Sequence, residues 1–122
     1  VTAPLAGVRA AIATALSSLG VSVHTYPPSS PAAPCVLLVP GSPYLDPGTG
    51  WGTSEVGIDV RIMVSSASGP QSMERLDALV DAAVAALVAA KVGVQSISPP
   101  ATSEDSASMY VDIPTLTAWK AE

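Results

Sequence analysis

Phenylalanine is missing from this chain altogether, and the aromatic total is three Tyr and two Trp. Its apolar share leans on Ala and Val instead, so a thin core is expected. Cysteine and histidine are nearly missing too. The lone Cys35 excludes an internal disulfide, and with the lone His24 it cannot fill a zinc shell without carboxylates or other chains. Set in "PCVLLVP", Cys35 reads as a small buried hydrophobe rather than a reactive thiol. Basic residues are few and scattered, at 9, 61, 75, 91 and 120, against ten acidic residues, which leaves a net charge of −5. Tight phosphate binding needs a local supply of cations to displace counterions, so the composition disfavours a nucleic-acid reader. No apolar run approaches the roughly 20 residues that cross a bilayer, so no membrane partner is expected. The opening "VTAPLAGVRAA" has one Arg and no signal-like core, so nothing marks the chain for secretion.

What is present suits one packed domain over residues 1–122. Hydrophobic residues make up 48% and charged residues 12%, which argues for a core and against wholesale disorder. In "TAPLAGVRAAIATALSSLG", Leu5, Val8, Ile12, Leu16 and Leu19 recur at helical spacing, with Thr2 as N-cap, Pro4 in the first turn and Gly20 as the stop. "VSVHTY" alternates as a short strand ended by Pro27 and Pro28, and "PCVLLVP" is an apolar strand fenced by Pro34 and Pro40. In "SEVGIDVRIMVSSA", Val56, Ile58, Val60, Ile62 and Val64 point one way. Glu55, Gly57, Asp59, Arg61 and Met63 point the other, which predicts a long strand with a wet or partner-facing outer side.

A second helix follows, with Met73, Leu76, Val80, Val84 and Leu87 on its inner stripe. Leu79, Ala83 and Val88 widen that stripe, Pro70 stands at the start, and Gly93 lies past the end. "VGVQSIS" predicts a short strand, "PPATSEDSAS" a polar loop, and "MYVDIPTLTAW" a last strand with Val111 and Ile113 facing in. The order α-β-β-β-α-β-β predicts an α+β fold: a mainly antiparallel mixed sheet of four to five strands, with two helices packed on one face. Pro114 has no backbone donor, so the last strand is expected at an edge or with a bulge.

Catalytic signatures are scarce. "GTGWG" lacks the Lys-Ser/Thr of a phosphate loop and precedes a strand. Asp77 and Asp81, four apart, read as the solvated side of the second helix beside Glu74 and Arg75 rather than as metal ligands. "SEDS" at 103–106 misses the spacing and Gly of a calcium loop. No enzyme, cofactor or metal is expected. Yet Tyr44 and Trp51 sit in "LVPGSPYLDPGTGWGT", residues 38–53, which reads as a Pro/Gly-rich loop. Aromatics bring large contact area with few rotatable bonds, so these two can serve a partner. Equally, they can fold back to plug a thin core, and Trp119 faces the same choice.

The helix "PLAGVRAAIATAL", the loop-plus-strand "LVPGSPYLDPGTGWGTSEVGIDVRIMV", the helix "ALVDAAVAAL" and the close "MYVDIPTLT" span nearly the whole chain. In that order they resemble the tail-terminator, or head–tail joining, proteins of long-tailed bacteriophages, particularly those of actinobacterial phages. The resemblance implies a structural virion protein of the tail or neck, assembled in the host cytoplasm. Its subunits would form a homo-oligomeric ring, typically a hexamer, that caps the tail tube and stops its polymerisation. The ring's other face would meet the head–tail connector, and genomic DNA would pass through the lumen without specific binding. Tyr44, Trp51 and Trp119 are the candidate partner-binding residues. Two other readings stay open: a head-completion protein on the portal side, and a small ligand-binding or enzymatic α+β domain with residues 40–53 as a lid.

Overall fold

The apolar spacing of the first helix is realised directly. In the computed structural model, which describes residues 4–26, 34–46, 53–65, 70–102 and 108–120, α1 runs Pro4–Leu16. It buries Val8, Ile12 and Leu16, and a 3-10 turn over Ser17–Leu19 ends at Gly20, as expected. The strands are β1 (Ser22–His24), β2 (Cys35–Asp46), β3 (Thr53–Ser65), β4 (Gly93–Val94), β5 (Ala101–Thr102) and β6 (Ser108–Lys120), with α2 (Pro70–Ala89) between β3 and β4. They form one six-stranded sheet in the order β1-β2-β3-β6-β4, with β5 also paired to β6. Only the β1–β2 pair is parallel. The expected α+β class and mixed sheet hold, with more strands than the four to five read from the sequence. The Thr2 cap, the Pro27–Pro28 stop and the 103–106 run lie outside the described residues.

The central strand follows its period-two pattern. Val56, Ile58, Val60, Ile62 and Val64 are buried in one cluster with Val8, Ile12 and Leu16 of α1 and Leu76, Ala83 and Leu87 of α2. Both helices therefore cover the same face of the sheet. Burying each of these branched side chains contributes about 1.5–3 kcal/mol. On α2 the core stripe centres on Ser72, Leu76, Ala83 and Leu87, while Met73 and Val88 are exposed. At ~100° per residue Val88 lies about a third of a turn from that centre, so it does not widen the core as its apolarity suggested.

Three prolines and glycines behave differently from their local reading. β2 does not stop at Pro40 but continues to Asp46, with a bulge between the Pro40–Ile58 and Leu45–Val56 pairs. Backbone polarity alternates along a strand, and Leu38, two residues earlier, directs its carbonyl to the Arg9 side chain, away from β3. The missing N–H of Pro40 therefore faces the free edge of β2, where it breaks no ladder bond. Gly41 is needed here, because a Cβ would meet the Gly57 carbonyl carbon and oxygen at 2.7 Å.

Pro114 corrects another expectation: β6 is neither an edge strand nor bulged, and it pairs with β3 in unbroken register over its whole length. Its carbonyl accepts from the Gln95 N–H at 2.9 Å, so its N also points to the β4 side. With no donor there to return the bond, the β4 ladder ends at Val94 instead of running through "VGVQSIS".

Helix α2, finally, is stopped by Lys91 and not by Gly93. Lys91 takes a left-handed φ of 62°, its N–H donates to the Val88 carbonyl at 3.0 Å, and the Val92 N–H donates to the Leu87 carbonyl at 2.9 Å. Those two bonds form a Schellman cap. Gly93 serves β4: a Cβ there would lie 2.8 Å from the Leu116 carbonyl oxygen.

Candidate assembly surfaces

The three aromatics singled out in the sequence have separate fates. Tyr44 lies on β2 beyond the bulge, half-buried against the core. Its hydroxyl accepts from Arg9 Nη2 at 2.9 Å and Nε at 3.3 Å, so this ring packs within its own subunit. Trp51 lies outside the described residues. Trp119 is on β6 in register with Ser54, which places its backbone at the same end of the sheet as Tyr44.

Arg9 itself is the residue that composition concealed. It is 3% exposed, and Nη1 donates to the Leu38 carbonyl at 2.7 Å and to the Thr25 carbonyl. The guanidinium carbon sits 4.6 Å from the Tyr26 ring centroid and 5.7 Å from that of Tyr44. Among the described residues no carboxylate pairs with it. Carbonyl dipoles, a phenol oxygen and two aromatic faces balance the charge instead. Position 9 falls four after Leu5 and three before Ile12, on the inner stripe of α1. That spacing was the signal that it points inward.

The sheet face opposite the helices carries the odd-numbered side of β3. Residues paired across strands share a face, so Val39, Asp59 and Pro114 form one row, Arg61 and Asp112 the next, and Met63 and Tyr110 the third. Leu116 lies beside Gly57. Arg61 grips Asp112 with both arms, Nε to Oδ1 at 2.7 Å and Nη2 to Oδ2 at 3.0 Å, and its guanidinium carbon stacks 4.4 Å from the Tyr110 centroid. The hydrogen bond to Asp112 raises the Arg61 pKa. With the two side chains 34% and 30% exposed, this pair contributes only about 0–1 kcal/mol.

Asp59 is left over. Partial burial, then the Asp112 charge, raise its pKa, and Arg61 opposes them. The patch thus holds two carboxylates and one guanidinium among half-buried Val39, Met63, Pro114 and Leu116. Cys35 and Leu37 are fully buried on the same face, and burial pushes the Cys35 thiol pKa up.

On the far side of the subunit, the outer surface of α2 is unusually smooth. Between Asp81 and Lys91 every residue is Ala, Val or Leu, and Ala82, Ala85, Val88 and Ala89 face solvent, with Val88 61% exposed. A helix that is apolar all round is normally buried all round. Asp77 and Asp81 are exposed. Among the described residues no cluster of three or more His, Cys, Asp or Glu is placed to hold a metal, and no helix is long and apolar enough to cross a membrane. A shallow recess lined by Val64, Ser65, Gln71, Ser72 and Arg75 measures about 170 Å³, below the usual size of a small-molecule site. The sequence matches no family model and no curated protein.

Proposed function

We propose that this chain is a structural subunit that assembles with copies of itself into a ring on the end of a bacteriophage tail tube. The ring halts tube growth and presents its other side to the head–tail connector. One observation carries the assembly part of this reading: among the described residues the subunit is a two-layer slab with half-buried apolar side chains on its outer sheet face and exposed Ala and Val on α2. Complementary patches on opposite sides of a subunit make head-to-tail contacts, and such contacts close into a ring when the rotation per subunit sums to a full turn. The tail-terminator role rests on the resemblance of the element order and of the quoted segments.

Strand addition along β2 past the end of β1 is a poor joint, because Arg9 occupies the Leu38 carbonyl on that edge and Pro40 offers no donor there. The faces carry the joint in this reading. Trp51 and Trp119, with whatever part of the Tyr44 ring its own subunit leaves free, are the aromatic candidates for the tube or a neighbouring copy. The net charge of −5 suits a lumen through which DNA slides without specific binding.

The test is native mass spectrometry and light scattering of the purified chain over a range of concentrations, alone and with tail-tube ends. A closed ring of defined size, and tubes that stop growing, are the expected results. Trp51→Ala should impair capping and leave the monomer's melting unchanged. A chain that stays monomeric at every concentration and ignores tube ends refutes the reading.

A further inference from the structure

The two outer faces differ in charge as well as position, and this allows the joint to be assigned. The sheet patch carries one more carboxylate than guanidinium, and the unmatched acid is Asp59. At the end of the α2 Ala/Val run stands one exposed cation, Lys91, whose backbone N–H closes the helix on the Val88 carbonyl. Among the described residues Lys91 has no ion-pair partner. Arg75, the exposed cation of α2 itself, lies near the other end of that helix, lining the recess with Val64 and Ser65.

We infer that the outer face of α2 in one copy docks on the half-exposed part of the next copy's outer sheet face, around Asp59. In that joint Ala82, Ala85 and Val88 lie over Val39, Pro114 and Leu116, the apolar residues beside Asp59, and Lys91 pairs with Asp59. This rests on the reading of the chain as a ring subunit and names the surfaces of its joint.

The side-chain sizes fit. Alanines let a helix approach a surface closely, and Val88 supplies a protruding methyl pair for the shallow apolar ground around Pro114 and Leu116. The charges fit as well. Asp59 is already partly desolvated, so a partner cation relieves an existing penalty, whereas a partner carboxylate adds to it. Lys91 stands at a left-handed position where Gly is the favoured residue, a cost to the monomer that a role in the joint accounts for.

Charge exchange tests the pairing. Asp59→Lys and Lys91→Glu are each expected to raise the concentration needed for assembly about tenfold or more, and the double variant to restore it. Val88→Asp should block assembly while lowering the melting temperature by no more than a few degrees, the cost of a carboxylate in the last turn of a helix, because this side chain serves no core. Lys91→Gly should raise the melting temperature while weakening assembly, two effects a purely structural Lys91 would not combine. Circular dichroism checks each monomer, and Asp59→Asn replaces Asp59→Lys should the latter fail to fold.

Rings that assemble at the wild-type concentration in all the single variants overturn this joint and leave the ring itself standing. A double variant that folds but does not recover also overturns it. So does a wild-type assembly that stops at a dimer, since opposite sides of a subunit cannot both meet one partner. A wild-type chain that never associates, alone or on tube ends, refutes the ring and the joint together.

Discussion

Replacing Arg9 by Met is the sharpest probe of the fold. The substitution keeps an unbranched apolar stem and removes every donor to Leu38, Thr25 and Tyr44. Hydrogen bonds from a charged donor are worth about 1.5–3 kcal/mol each, and a buried carbonyl left unpaired costs about 1–3 kcal/mol. Against that stands the desolvation of a guanidinium that is almost fully buried, several kcal/mol that the variant no longer bears.

Because two of the acceptors are backbone carbonyls that cannot move away, the losses should outweigh the relief by ~2–3 kcal/mol. At about 2.1 cal/mol/K of unfolding entropy per residue, that lowers the melting temperature of a 122-residue domain by roughly 8–12 °C. Tyr44→Phe removes only the hydroxyl acceptor and should cost about 0.5–1.5 kcal/mol. The two changes should be non-additive by ~1 kcal/mol in a double-mutant cycle measured by urea unfolding. An Arg9→Met variant within 0.5 kcal/mol of wild type, or strict additivity with Tyr44→Phe, would refute the view that this cation ties α1 to the bulged half of β2.

Three further outcomes follow from individual contacts. Gly93→Ala forces a methyl to 2.8 Å from the Leu116 carbonyl oxygen and should destabilise by about 1–3 kcal/mol; equal stability on thermal melting would show that β4 simply moves off. Asp59 has a folded pKa raised above its unfolded value, so the fold binds its proton more tightly and this residue's contribution to stability falls as pH rises through the folded pKa. Asp59→Asn should therefore stabilise the monomer at pH 7, with the gain vanishing below the unfolded carboxylate range. A gain that grows on acidification contradicts this. The Cys35 thiol is buried with a raised pKa and should react with a disulfide reagent only at the rate of unfolding, whereas fast labelling of the native chain would place it at the surface.

Legibility in the sequence tracked how local the cause was. The inward set of β3 and the Val8–Ile12–Leu16 stripe of α1 follow from the repeat of one element, and both were readable before any packing was known. Pro40, Pro114 and Gly93 were readable only as breakers. A proline in a strand is harmless or disruptive according to which neighbour its missing N–H faces, and strand order decides that. The stripe of α2 was displaced for a similar reason: Met73 and Val88 are apolar, but the sheet and α1 approach from the side of Ser72, Leu76 and Ala83. Arg9 was counted among scattered cations because charge is read as exposure unless its position on the helical wheel is weighed.

From its own residues, then, this chain settles its α+β class, its two helices, its thin aliphatic core and the alternation of its longest strand, since each depends on short-range periodicity and side-chain volume. Only the tertiary structure decided which backbone edges carry the prolines, that a buried arginine holds the β2 bulge, and that Asp59 lies on the sheet face away from the helices. Those outcomes depend on which segments lie side by side, and strand pairing joins residues as far apart as Arg61 and Asp112. No local pattern encodes that choice of neighbour.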